Sequence, residues 1–149
     1  MSHVVSIQTQ VHDLNAVKAA CQELGLTFKE NQKTIRWYGK WVDDYSRDDA
    51  AYKLGIPTDK YGTSDHAIEV PGSSYDVGLL KDEKTGGYRL YFDFYANNGK
   101  VIQEAIGQNG QKFIQYYAAH KIAMESKLKG YFIQHKNESN GHIKLTINT

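Results

Sequence analysis

The sequence predicts an α+β protein, a two-layer sandwich of mostly antiparallel sheet with two main helices on one face. Three observations carry that prediction. Stretches of two-residue alternation recur from residue 3 to residue 147, separated by turns rich in glycine, proline or asparagine. Two stretches of helical periodicity, one after Asp13 and one over 112–128, interrupt them. No internal repeat, low-complexity tract or linker divides the chain, so residues 1–149 are expected to form a single α+β domain.

The elements follow in order. Over residues 3–9, Val5 and Ile7 alternate with Val4, Ser6 and Gln8, as in a strand. Asp13 stands at an N-cap position, Leu14, Val17, Cys21 and Leu24 follow at helical spacing, and Gly25 supplies the C-terminal stop. Leu26-Thr-Phe-Lys reads as a second strand. Thr34-Ile-Arg-Trp-Tyr-Gly-Lys-Trp reads as a third, with Ile35, Trp37 and Trp41 on one face and Arg36, Tyr38 and Lys40 on the other. Residues 43–65 break the pattern and read as an insertion. Asp43, Asp44, Asp48 and Asp49 cluster there with Tyr45, Tyr52 and Tyr61, and 48–55 suits a short helix stopped by Gly55 and Pro57. Its tyrosines and Leu54 give it apolar surface to bury, which favours an ordered flap.

His66-Ala-Ile-Glu-Val is a short strand ended by Pro71-Gly72. Residues 75–80 and 87–95 form a hairpin through a Gly-containing loop. In its second arm Tyr88, Leu90, Phe92 and Phe94 point to the core, and Arg89, Tyr91, Asp93 and Tyr95 point away. A helical turn or two fits between Asn97 and Gly110. The long helix over 112–128 follows, with Phe113, Tyr117, Met124 and Leu128 in one arc and Tyr116, His120 and Lys127 on its flank. Gly130 ends it, and two strands joined at Asn140-Gly141 complete the chain.

Charge is balanced, with 18 Lys and Arg against 17 Asp and Glu, and neither half is strongly biased. That argues against nucleic-acid binding, which rests on phosphate contacts. One cysteine rules out an internal disulfide and suits a reducing compartment. No stretch reaches membrane-spanning length and Met1-Ser-His-Val is unlike a leader, so a soluble, cytoplasmic protein is expected, with no membrane partner.

Chemistry-bearing constellations are few. Among six histidines no pair shows metal-ligand spacing, so no metal or other cofactor is expected. There is no nucleophile elbow, and Cys21 lies on an apolar helix face without a neighbouring base. His120, flanked by Tyr116 and Tyr117, is the one acid–base candidate, and it defines an enzymatic alternative. Ile106-Gly-Gln-Asn-Gly-Gln-Lys-Phe-Ile is similar to the Gly-x-x-Gly loop of KH domains, which makes RNA binding through Gly107–Gly110 a second alternative.

The reading adopted is a non-enzymatic binding or accessory module for a small polar molecule, a nucleotide among the candidates, or for a partner protein. Arg36, Tyr38, Tyr75, Asp76, Arg89, Tyr91 and Asp93 are expected on one sheet face, where guanidinium forks and tyrosine rings suit a polar planar ligand. Tyr117 and His120 form a second candidate at the helix edge. An exposed aromatic face of this kind can also pair with itself in a homodimer.

Met1-Ser-His with Ile7-Gln-Thr-Gln and Asp13-Leu, Ile35-Arg-Trp-Tyr-Gly, Tyr75-Asp-Val-Gly, Tyr88-Arg-Leu, Gln115-Tyr-Tyr-Ala-Ala-His and Gly141-His-Ile-Lys-Leu-Thr occur in that order along the chain. Together these patches resemble one uncharacterised family, the hypothetical chloroplast reading frame thirty-five family of algal plastids, cyanobacteria and phages. The chain departs from the family pattern at Tyr116, where the family has arginine, at Ala119, where it has tyrosine, and in the extra 43–65 insertion. The resemblance implies a single domain and an intracellular place, the host-cell cytoplasm for a phage-encoded member. It implies no reaction.

Overall fold

Asp13 starts the first helix with its carboxylate. Its Oδ1 accepts hydrogen bonds from the N–H groups of Asn15 (2.9 Å) and Ala16 (3.3 Å), two of the donors a helix N-terminus leaves unpaired. Gly25 closes the same helix in the left-handed conformation, at φ 73°, which glycine adopts without steric cost. The computed structural model describes residues 4–37, 62–130, 132–137 and 143–148. In chain order these form β1 (Val4–Val11), α1 (Leu14–Leu24), β2 (Thr27–Lys29), β3 (His66–Glu69), β4 (Asp76–Lys81) and β5 (Tyr88–Asp93). Then come α2 (Ala96–Ile106), α3 (Gln111–Leu128), β6 (Phe132–Asn137) and β7 (Ile143–Asn148).

The fold is α+β. Five strands make an antiparallel sheet in the order β1-β5-β4-β3-β2, so the first two strands of the chain occupy its opposite edges. Alternating direction across five positions makes β1 and β2 parallel to each other, and α1 is the crossover between them. Its 11 residues span about 16 Å. That nearly matches the roughly 19 Å between the edge strands of a five-stranded sheet. Ala16, Val17, Ala20 and Cys21 of α1 bury against Ile7, Ile68, Val77, Leu79, Leu90 and Phe92 of the sheet, and Ile102, Ile106, Phe113 and Tyr117 of α2 and α3 complete this core. All three helices therefore cover one face.

The second helix, α2, is longer than the turn or two expected there. It begins hard against the end of β5, where a Cβ on Gly99 would lie 2.0 Å from the Phe94 carbonyl carbon. Only glycine admits that approach. β6 and β7 pair as a separate two-stranded antiparallel sheet against α3. Of the hairpin residues expected in the core, Phe94 is instead exposed, because β5 ends at Asp93 and its alternation ends with it. Among the described residues no helix is long and apolar enough to cross a membrane.

Candidate functional site

Thr34–Trp37 carries the alternation of a strand, yet it is not part of the five-stranded sheet. Thr34 makes a single bridge to Thr63. The Ser64 N–H donates to the Lys33 carbonyl (2.8 Å), the Ser64 hydroxyl to the Gln32 carbonyl (2.6 Å) and the Ile35 N–H to the Gly62 carbonyl (3.1 Å). Residues 32–37 and 62–64 thus form a narrow strip laid across the sheet face opposite the helices. Its underside is apolar. Ile35 packs on Ala67 and Tyr91, with Trp37 and Leu80 at the margin.

Tyr91 lies beneath this strip and is 1% exposed. Gly78 is its cross-strand neighbour, and a Cβ there would stand 2.6 Å from the ring, so the missing side chain makes room for the tyrosine. The Tyr91 hydroxyl donates to the Thr63 carbonyl. A phenol proposed as a ligand platform is therefore the floor of a small second core.

Arg36 escapes from the strip to the solvent side. Its Nη2 donates to Asp76 Oδ1 (2.7 Å) and its Nε reaches both carboxylate oxygens (3.1 Å each). The backbone joins in both directions: Arg36 N–H donates to Asp76 Oδ2 (2.8 Å), and Asp76 N–H donates to the Arg36 carbonyl (2.9 Å). Asp76 is 2% exposed, whereas the Arg36 side chain is 51% exposed. Hydrogen bonding to that carboxylate raises the guanidinium pKa above its ordinary value. The result is a fork clamped along one edge by a buried anion, with the other edge at the surface.

Of the remaining sheet-face candidates, Tyr75 and Arg89 do not assemble with this pair. Tyr75 precedes β4 and packs in the helix-side core, because adjacent residues in an extended chain face opposite ways and Asp76 takes the other side. Asp93 is fully buried at the end of β5, where its Oδ1 accepts from the Tyr95 N–H (2.9 Å). Arg89 pairs with Leu80, four residues along β4 from Asp76, which is about 13 Å away along the strand. There its charge helps to hold the Asp82 carboxyl below the usual range, after the hydrogen bonds from the Lys84 N–H and from Gln10. Tyr38 and most of the 43–65 insertion lie outside the described residues.

At the helix edge the two candidates have separate partners. The Tyr117 hydroxyl accepts from the N–H groups of His12 (2.9 Å) and Asp13 (3.1 Å), which ties α3 to the start of α1. His120 Nε2 lies 2.5 Å from Glu23 Oε2, bridging α3 and α1. Cys21 is buried, and burial pushes its thiol pKa up to about 12, so it holds no thiolate at neutral pH. Gly107 and Gly110 bracket the α2–α3 joint with positive φ values of 91° and 73°, and the Asn109 N–H inside it donates to the Gln111 side chain (2.7 Å).

Sequence reasoning missed Ile35, Thr63 and Gly78 as the parts that close over Tyr91. The glycine opposite a large aromatic was the available signal, and it becomes readable only once the strand register is known. Comparison with protein-family models, curated protein sequences and solved structures gives no match to this chain.

Proposed function

We propose that this protein is a non-enzymatic binding module whose ligand-facing group is the Arg36 guanidinium. Its ligand is a small polar molecule bearing a carboxylate or phosphate, nucleotides included; an acidic side chain on a partner protein offers the same chemistry. One observation carries the reading. Arg36 is oriented by a buried carboxylate and by two backbone hydrogen bonds, while half of its side chain faces solvent. A fork fixed in this way loses little conformational entropy when an anion docks on its open edge.

The test is a thermal-shift panel of mono- and dicarboxylates, phosphate esters and nucleotides, run on wild type and on Arg36→Lys. Lysine can keep a positive charge beside Asp76 but offers no planar second edge. A ligand that stabilises wild type by several degrees and Arg36→Lys by much less supports the assignment. Equal stabilisation of both proteins by every active compound removes Arg36 from the site.

A further inference from the structure

His66 belongs to none of the features above, yet it is a buried titratable side chain placed where the chain changes faces. It is 6% exposed, at the start of β3. The Phe28 ring of β2 lies 5.7 Å from it and the Tyr88 ring of β5 lies 5.1 Å away, the latter edge-on. Its Nδ1 accepts the N–H of Asn31 (2.9 Å). That bond fixes the tautomer: Nδ1 carries the lone pair and the proton sits on Nε2.

Asn31 is the residue at which the chain leaves the edge strand β2 and starts towards the opposite face of the sheet. It holds φ 64°, in the left-handed region that non-glycine residues enter at a cost. The next residue, Gln32, already belongs to the strip that covers Tyr91. We propose that His66 is a protonation-sensitive latch for this strip: a proton on Nδ1 removes the acceptor of the Asn31 N–H and frees the strip at its β2 end.

The surroundings decide how readily that happens. Burial is the largest influence and disfavours the imidazolium; Asp65 and Glu30 favour it, and Lys33 and Lys18 oppose it. The two carboxylates have other partners. Glu30 pairs with Lys18 (3.0 Å), and Asp65 Oδ2 accepts from the Lys81 N–H (2.7 Å). At neutral pH the latch is therefore closed, and it opens on the acid side of the ordinary histidine range of about 6.5. Two N–H groups facing each other across the former bond have no way to share a proton, so the Asn31 turn must move. The inference concerns the strip itself and holds whether or not Arg36 meets an anion.

The experiment is a titration from pH 7.5 to pH 4.5 that follows the His66 ring and the exchange of the Asn31 amide by NMR in the wild-type protein, and Trp37 emission by fluorescence in Trp41→Phe. The expected result is that Asn31 exchange, corrected for its intrinsic pH dependence, rises about tenfold with the midpoint of the His66 ring. Trp37 emission shifts with the same midpoint. In His66→Phe, which keeps a ring against Phe28 and Tyr88 but has no acceptor, Asn31 exchange is fast and independent of pH. Where that variant does not fold, the wild-type titration decides alone. A His66 ring that titrates while Asn31 exchange and Trp37 emission stay flat overturns the latch, as does a His66→Phe protein that keeps the wild-type pH profile.

Discussion

Arg36 and Asp76 hold each other through main chain and side chain together: each residue's N–H donates to an oxygen of the other, and the guanidinium closes the loop at 2.7 Å. This relationship fastens the covering strip to the start of β4. It also gives the surface a fixed cationic fork. A half-exposed ion pair is screened, so the Coulombic part is modest and the geometry supplies the rest. A double-mutant cycle with Arg36→Gln and Asp76→Asn, measured by urea unfolding, is expected to give a coupling energy of about 1–2 kcal/mol. A coupling near zero would mean that the backbone bonds alone hold the strip.

Gly78→Ala tests the second core beneath the strip. The added methyl would stand 2.6 Å from the Tyr91 ring and 3.1 Å from Ile35, and the ring cannot move without giving up its bond to Thr63. Overpacking of this kind costs about 1–3 kcal/mol. Chemical denaturation should show that loss, with Trp37 becoming more exposed to acrylamide quenching. Full stability in the alanine variant would place Tyr91 elsewhere.

The helix side offers an independent check. Tyr117→Phe keeps the ring in the core but removes the acceptor for the His12 and Asp13 N–H groups. Partly buried donors left unpaired cost about 1–3 kcal/mol. Urea unfolding should register that loss, and exchange of the His12 and Asp13 amides should accelerate most. An unchanged midpoint would show that water replaces the hydroxyl.

His66 gives stability a defined pH dependence. Burial lowers its folded-state pKa, so the unfolded chain binds the proton first as pH falls. Its contribution is complete above about pH 6.5 and is lost as pH drops towards the folded midpoint. The slope from this one group reaches at most about 1.4 kcal/mol per pH unit. Unfolding free energies at pH 7.5 and pH 5 should differ more in wild type than in His66→Phe. The opposite ranking would mean that other groups govern acid sensitivity.

Much of this architecture is legible in the letters. Asp13 and Gly25 mark the ends of α1 through the side-chain cap and the left-handed stop they form, and Tyr88, Leu90 and Phe92 take the helix side by simple alternation. Thr34–Trp37 shows where such reading stops. Ile35 and Trp37 alternate with Arg36 because the segment lies flat on a sheet, and a strip over a sheet has the same period as a strand within one. Tyr75 and Asp76 lie on opposite faces, because neighbours on an extended chain cannot share one. Which of them met Arg36 depended on register, and register depends on partners distant in sequence.

Native mass spectrometry of freshly purified protein, wild type beside Arg36→Lys, tests the central claim most directly. The account predicts that wild type carries an adduct with the mass of a carboxylate- or phosphate-bearing molecule and that Arg36→Lys largely loses it. A wild-type protein that flies bare, or an adduct retained equally by both proteins, would contradict the assignment of Arg36 as the binding group.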